Sequence, residues 1–576
     1  MTCKVLAVIG ARLNSSRLPA KHLLDLAGKP LIERLFERLE RVPGLDRIIL
    51  ATTADAFNQP LVDWARASNR GWYAFPGDVN DLMGRVDEVV RAQNPEIVFY
   101  ICGDSPLVEP DLLGRMISAL RAHPEAHCVG IEARQRKVIH QGIHCYPIDT
   151  WNMLIAASQT PSEREHVGSA WPKIGAGLKG INLAEAPIFY ALDHRLSVDT
   201  PSDYRFMSTI YRRWYANHPP TQIVSLTWVI ERLLAEPALR AINATVKQKA
   251  IGDRSLPVLL LTAVGPQVGL GHLRRMLVLA RALQDHQAAG VRLLICGEPL
   301  SRPELGLLPH RFCSDPISGL RVEKEQRSIE ALVCDMPASL VTPEFTAMLQ
   351  QEGSYLVSID FTLPKAAKLD LQWVPSFYLD PGAAKKPHLR FGWDCFLLDR
   401  PQTPRDWSAE MEVVVLTGAA DGQAFGQTLP DLLETLLPEQ AQITWVRGPF
   451  AAEPKIPARS RRWTLVENPE EPGALMDRAR FAIATYGVSF FECLSRGLAT
   501  VVITPDRADP EFMALEEKGV AQRAVTAREA AEKMAALLKR PSLAGDLAHQ
   551  ARTCLDGLGP KRLAEIIVAG AVREPK

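Results

Sequence analysis

The stretch Gly10-Ala-Arg-Leu-Asn-Ser-Ser-Arg-Leu-Pro-Ala-Lys21 follows directly on the apolar run Val5–Ile9. Small and polar residues with Arg12, Arg17 and Lys21 make a cationic loop at the carboxyl end of an expected strand. A triphosphate needs such a place, where backbone N–H groups approach its oxygens and fixed cations neutralise them. Most basic loops are simply solvated, so the loop alone decides nothing. Two isolated acids add weight. Asp104 follows the apolar run ending at Cys102, and Asp199 closes Leu196–Val198 in Arg-Leu-Ser-Val-Asp-Thr-Pro-Ser-Asp. Carboxylates at the ends of two strands of one sheet would converge on a Mg²⁺ that bridges phosphates. Either acid is also a natural cap or turn residue, and Asp199-Thr-Pro reads equally as a helix start.

A second constellation lies far along the chain. After the strand-like Val258–Thr262 comes Gly265-Pro-Gln-Val-Gly-Leu-Gly-His-Leu-Arg-Arg275. Gly269 and Gly271 let the backbone turn tightly onto a helix opened by His272, whose free N–H groups favour an anion. A neutral imidazole there would serve as a general base; a cap or surface histidine is the plainer alternative. The matching motif is Ala484-Thr-Tyr-Gly-Val-Ser-Phe-Phe-Glu492, a strand, a glycine turn and a helix. Gly487 and Ser489 would cradle a diphosphate and Glu492 would accept ribose hydroxyls, unless this is an ordinary βαβ turn with a surface glutamate.

These residues need a scaffold that brings strand ends together. Val5–Ile9, Arg47–Thr52, Trp72–Phe75, Glu96–Cys102 and His127–Ile131 read as strands, with Ile188–Leu192 also strand-like. Between the first two, Leu31, Ile32, Leu35, Phe36, Leu39 and Val42 share one helical face. Strands alternating with helices predict an α/β fold with a mainly parallel sheet. Helical segments over 203–239 end this unit, and polar residues 246–256 read as a linker after a domain at 1–245. A second αβ series, 257–405, carries Val291–Cys296, Ala331–Asp335 and Tyr355–Asp360 as strands. A Pro-rich stretch near residue 401 separates it from a third, 406–576, with Glu412–Leu416, Ile443–Val446, Phe481–Ala484 and Thr500–Ile503. Two such lobes leave a cleft at the carboxyl ends of their sheets, the usual ligand position.

Composition excludes several classes. The 66 basic and 66 acidic residues cancel, so no bulk field favours nucleic acid or a membrane surface. Ten scattered cysteines without a CxxC pair read as reduced thiols in the cytoplasm, not as a zinc module. The first twelve residues lack the pattern of a signal peptide, and no apolar run approaches the roughly 20 residues that span a bilayer. Gly175-Ala-Gly-Leu-Lys-Gly180 matches GxGxxG literally but neither follows a strand nor opens a helix, so it is set aside. His140 and His144 stand four apart, but Gly142 and Pro147 argue against a helical metal pair.

Arg12, Ser15-Ser-Arg-Leu-Pro-Ala-Lys21, Leu26-Ala-Gly-Lys-Pro-Leu31, Ala51-Thr-Thr53, Gly103-Asp-Ser-Pro-Leu107, Glu163-Arg-Glu-His-Val167 and Val198-Asp-Thr-Pro-Ser-Asp203 occur in that order. Over residues 3–210 the chain thus resembles the sugar-acid cytidylyltransferases of the spore-coat-polysaccharide type, relatives of the CMP-sialate and CMP-Kdo synthetases. The resemblance implies a Rossmann-like, glycosyltransferase-A-like domain that uses CTP and Mg²⁺ to activate an eight- or nine-carbon sugar acid, often as a homodimer. It implies that Arg17 and Lys21 hold phosphates and that Gly10, Ala11, Arg12 and Gly103 line the nucleotide. By the same carry-over Asp104 and Asp199 ligate the metal, and Glu163, Arg164 and His166 face the acidic sugar. The family usually has Gly at Ala20 and often Cys at Ser105.

Gly269-Leu-Gly-His-Leu-Arg274 and Gly487-Val-Ser-Phe-Phe-Glu492 are similar to the UDP-sugar hydrolase of pseudaminic acid synthesis, whose two lobes are glycosyltransferase-B-like. That likeness implies that His272 activates water and Glu492 contacts uridine. Tyr486, Phe361 and Ala419 depart from it, Tyr486 narrowing the expected diphosphate site. The expectation is therefore a bifunctional enzyme of nonulosonic acid synthesis. The alternatives are one working cytidylyltransferase with a C-terminal binding or scaffolding module, or a glycosyltransferase acting on surface polysaccharide.

Overall fold

The computed structural model describes residues 3–134, 137–140, 142–248, 254–350, 353–364, 367–379, 388–399, 406–457, 462–505 and 509–572. The chain divides into two compact units, Met1–Arg254 and Ser255–Lys576.

The first unit is built on a five-stranded sheet in the order Trp72–Phe75, Arg47–Thr53, Val5–Gly10, Ile97–Cys102, Ile143–Pro147. The first four strands run parallel and Ile143–Pro147 closes the edge antiparallel. Val5–Ile9 is apolar throughout because both faces of this central strand are covered. Val5, Ala7 and Ile9 point to one core, with Ile32, Leu35, Phe36 and Leu39 of the helix Leu31–Leu39. Leu6 and Val8 point to the other, with Met83, Val86, Val89 and Val90 of the helix Leu82–Gln93.

Two strand expectations change. Cys128–Ile131 leaves the main sheet and pairs with Gly180–Leu183 in a separate two-stranded ribbon. The segment read as strand-like at Ile188–Leu192 is the 3₁₀ turn Pro187–Tyr190, since Pro187 fixes φ and removes a ladder donor. The GxGxxG match follows the short helix Trp171–Ile174 and runs into the ribbon strand, so it holds no dinucleotide turn.

The second unit contains two wholly parallel sheets, in the expected α/β class. One has seven strands in the order His310–Cys313, Gly290–Cys296, Pro257–Ala263, Ala331–Asp335, Tyr355–Ile359, Leu371–Val374, Leu389–Phe391. The other has six, Trp463–Glu467, Gln442–Arg447, Glu412–Leu416, Phe481–Thr485, Ala499–Ile503, Gln522–Ala524. In each the chain begins mid-sheet, which puts a topological switch point beside the first strand. The last helix, Gly559–Ala571, leaves the second lobe and buries Leu563, Ala564 and Ile567 in the core of the first. Part of the Pro-rich stretch near residue 401 and part of the 246–256 linker fall outside the described residues.

His144 on the edge strand stacks beside Tyr100 and Tyr146, and burial alone lowers its pKa to about 4. The ring is thus neutral in the fold, whereas the unfolded chain takes up a proton below about 6.5. Stability from this group is complete above about 6.5 and declines as pH falls towards 4. His144→Phe is expected to flatten the pH dependence of the unfolding midpoint between pH 7 and 5. An unchanged slope in chemical denaturation would show that the ring is not buried uncharged.

Candidate active sites

In the first unit the loop after Val5–Gly10 is pinned against the end of Ile97–Cys102. Gly103 N donates to Gly10 O at 3.0 Å. A Cβ on Gly103 would meet that oxygen at 2.8 Å and His22 Cε1 at 3.0 Å; one on Gly10 would meet the Tyr100 ring at 2.7 Å. Only glycine lets these backbones approach so closely. Ala11 is buried beside them. Ala20, where the related family usually has glycine, adopts φ 53°, a left-handed conformation that alanine takes with strain.

That turn delivers Lys21 between the two acids. Its Nζ lies 3.0 Å from Asp104 Oδ2 and 2.6 Å from Asp199 Oδ1. Arg17 Nη2 stands 3.6 Å from Asp199 Oδ2, and Arg195 pairs with the same oxygen. Burial opposes ionisation of Asp199, but Lys21, Arg195 and Arg17 outweigh it and hold the carboxyl far below the usual range. Burial raises Asp104, against the pull of Lys21. Sequence left open whether Asp199 caps a helix. Thr200 does so, in a capping box with Asp203, which leaves the Asp199 carboxylate facing the loop.

Sequence reasoning missed two members of this site. Arg195 lies in the non-helical approach to Pro201–Tyr215, where its spacing to Asp199 gave no signal. His22 gave no signal. It is buried, its Nδ1–H donates to Gly103 O at 3.1 Å, and burial lowers its pKa to about 3.

The residues expected to face the sugar are placed differently. Arg164 lays its fork on Asp81, Nε to Oδ1 at 2.9 Å and Nη2 to Oδ2 at 2.7 Å. Its guanidinium is thus paired with Asp81 within the fold. Glu163 closes a capping box with Thr160 and pairs with Lys173, which holds its carboxyl at about 2. His166 is half-buried, with its carbonyl accepting from Ser169 Oγ at 2.8 Å. Arg12 donates to Asn80 Oδ1 at 3.0 Å and stands 3.9 Å from Glu165.

In the second unit, Gly269 takes φ 75° and turns the chain into the helix Gly271–Gln287, whose first residues have no side-chain cap. His272 Nδ1 lies 2.7 Å from Oδ1 of Asp335, at the end of Ala331–Asp335. Arg275 grips both Asp335 oxygens, Nη2 to Oδ1 at 2.7 Å and Nε to Oδ2 at 2.9 Å, and reaches Asp360 at 2.7 Å. His272 Nδ1 thus faces the Asp335 carboxylate, with Arg275 Nη2 a further 3.1 Å neighbour of the same atom. Asp360 adopts φ 53°, strain of the kind found at functional positions. Asp335 and Arg275 were missed, although Asp335 ends an apolar run as Asp104 nearly does.

Across the lobes, a Cβ on Gly271 would lie 3.6 Å from Val488 Cγ2, so the two glycine turns face each other. Gly487 opens the helix Val488–Ser495 with open space where a Cβ would stand, and Ser489 is half-buried there. Glu492 is 2% exposed and receives Arg274 Nε at 3.1 Å, while Arg274 also reaches Asp399 at 3.2 Å. Its carboxylate thus ties the lobes together rather than standing open for ribose hydroxyls. Tyr486 turns its hydroxyl to Glu511 at 2.6 Å and its ring to Phe512, packing within its own lobe instead of narrowing the glycine turn.

Residues 6–165 match the cytidylyltransferase family model. A 3-deoxy-manno-octulosonate cytidylyltransferase of Anaeromyxobacter dehalogenans is 38% identical over 120 residues, 20% of this chain and 48% of that protein. The chain thus spans about half the length of that relative. The spore coat polysaccharide biosynthesis protein SpsF of Bacillus subtilis is 28% identical over 218 residues, 36% of this chain and 87% of that one. Among solved structures, the glycosyltransferase SnogD from Streptomyces nogalater matches with TM-score 0.41 and 16% identity, over 55% of this chain and 99% of its own. The matched cytidylyltransferase segment holds Arg17, Lys21 and Asp104; Asp199 and Arg195 lie beyond it.

The contact between Gly103 and Gly10 sets the position of the Lys21 loop. Gly103→Ala is expected to lower stability by about 1–3 kcal/mol through overpacking, read as a shift in the urea midpoint. A midpoint equal to wild type would show that the loop does not press on this position.

Proposed function

We propose that the first unit transfers a cytidylyl group from CTP to an acidic sugar, and that the second hydrolyses a nucleotide sugar. The observation that carries the first is Lys21 held between Asp104 and Asp199 at the carboxyl edge of a parallel sheet, within and just beyond the matched segment. Arg17, Lys21 and Arg195 supply the positive charge that a triphosphate requires. A hydroxyl of the sugar acid attacks the α-phosphorus, its proton passes to solvent or a nearby base, and pyrophosphate leaves. The chain's part is positioning and charge neutralisation, as in phosphoryl transfer generally.

Asp104 and Asp199 fit a hard divalent cation, being carboxylates that meet at one point. Among the described residues no group of three or more His, Cys, Asp or Glu is placed to hold a metal ion. Mg²⁺ held by these two would take the rest of its shell from phosphate and water, and would neutralise charge on the phosphates. Lys21, which balances both acids here, is then available to phosphate oxygens.

For the second unit, His272 with its Nδ1–H turned to Asp335 favours a base at Nε2. It would take a proton from water as the oxygen attacks the anomeric carbon and the nucleoside diphosphate leaves. The facing glycine turns suit a diphosphate, and a uridine sugar is the proposed substrate. Ten free cysteines agree with a reducing cytoplasm, and no helix among the described residues is long and apolar enough to cross a membrane.

Incubation with CTP, Mg²⁺ and a panel of eight- and nine-carbon sugar acids is expected to release pyrophosphate and a CMP-sugar, identified by mass. Asp104→Asn is expected to lower kcat by roughly 100-fold or more without unfolding the protein. Equal rates in variant and wild type would remove Asp104 from the chemistry.

UDP release from UDP-linked amino sugars is expected from wild type and lost in His272→Ala. Binding of UDP-sugars without turnover would make the second unit a binding module, and release only with an added hydroxyl acceptor would make it a glycosyltransferase.

A further inference from the structure

Arg85 sits one turn into the helix Leu82–Gln93, on the face that buries Met83, Val86, Val89 and Val90. It is 4% exposed, and its Nε and Nη1 are shut off from solvent with no hydrogen-bond partner. Arg34, Arg38 and Asp87, buried in the same unit, are satisfied. Arg38 donates to Val108 O and Val224 O, Arg34 to Leu26 O, Ala27 O and Glu37, and Asp87 accepts from Trp151 and Arg91.

The acids around Arg85 are already engaged. Asp81 carries the Arg164 fork and caps the helix through Gly84 N at 2.8 Å. Asp55 accepts from Thr53, Asn58 and Phe57 N in its own turn. Burial weakens the hold of Arg85 on its proton; Tyr100, Asp81 and Asp55 oppose this without a hydrogen bond to its Nε or Nη1, and the cation Arg12 adds to it. A guanidinium in this setting stays charged, and a buried charge without a counterion is costly unless something else supplies one.

The proposed reaction brings two anions to this unit, a triphosphate and a carboxylate. Arg17, Lys21 and Arg195 cluster on Asp104 and Asp199, where the triphosphate is placed. Arg164, the fork expected for the carboxylate, is held by Asp81. We propose that Arg85 receives the carboxylate of the sugar acid as a bidentate partner, a role that rests on the sugar-acid reading above. The guanidinium edge formed by Nη2 with Nε, or with Nη1, matches a carboxylate in shape and charge, whereas an uncharged base edge would leave the Arg85 charge uncompensated. The destabilisation accepted in the ligand-free protein is then a device for affinity, as at other preorganised sites.

The test uses the full chain with Arg85→Met and Arg85→Lys. Ligand-free Arg85→Met is expected to unfold at or above the wild-type temperature, since it removes an unpaired charge. Its Kd for CTP by calorimetry is expected to match wild type, while KM for the sugar acid that wild type activates rises roughly 30-fold or more. Wild type is expected to discriminate that acid from its uncharged methyl ester, and Arg85→Met to lose the discrimination; Arg85→Lys restores part of it. A melting temperature several degrees lower with KM unchanged would make Arg85 structural and overturn the assignment. Weaker CTP binding with an unchanged sugar-acid KM would give Arg85 to the nucleotide and overturn it equally. If wild type neither activates nor binds any acid, with 3-deoxy-manno-octulosonate and N-acetylneuraminate as probes, the sugar-acid reading fails and the assignment falls with it.

Discussion

Two carboxylates that meet in a partly buried place repel each other, and the first unit is arranged around neutralising that pair. Asp104 lies just beyond the end of one central strand, and Asp199 stands beside the helix Pro201–Tyr215. Lys21 lies between them, with Arg195 and Arg17 behind Asp199. Everything local follows from delivering that ammonium. The loop from Gly10 must fold back over the sheet edge, so Gly10 and Gly103 carry no side chain where their backbones touch. Ala20 must turn left-handed immediately before Lys21. An arrangement that balances two acids with a lysine is also one that can exchange partners, because a divalent cation and a phosphate together satisfy the same charges.

The second unit solves a related problem with different groups. Asp335 ends a central parallel strand and is fully buried, so it needs its proton donors fixed. Arg275 and His272, three residues apart at the start of one helix, supply them from a single turn. The imidazole is thereby oriented by Asp335, with Arg275 beside it. Asp360, reached by the other arm of Arg275, belongs to the adjacent strand's end. In both units a carboxylate at the carboxyl edge of a parallel sheet fixes a cationic or protonated partner, and that partner faces the region where ligands bind in such folds.

The central strands were legible because a strand covered on both faces must be apolar at every position, as Val5–Ile9, Phe481–Ala484 and Ala331–Val333 are. The edges were not. Ile143–Pro147, Leu389–Phe391 and Gln522–Ala524 are short and mixed, because an edge strand packs on fewer neighbours. Of the site, Asp104 and Asp199 could be named from strand-end position and Lys21 from the cationic loop, whereas Arg195, in a non-helical segment, could not. The engagement of Arg164 could not, since Asp81 lies 83 residues away and only the fold brings them together. Nor could the tie between Arg274 and Glu492, 218 residues apart.

Arg85 marks where pattern and physics separate. A charge on the apolar face of Leu82–Gln93 is visible in the sequence as a break in the helical period, but so is the arginine at 38 in Leu31–Leu39. Periodicity gives the two the same status. The difference lies in their partners: the Arg38 guanidinium meets two backbone carbonyls and Glu109, whereas Arg85 has donors with no acceptor. A satisfied buried arginine joins segments of the fold and needs no ligand to justify it. An unsatisfied one lowers stability without holding anything together. Unmet hydrogen bonds thus set Arg85 apart from Arg38, which burial and sequence pattern do not.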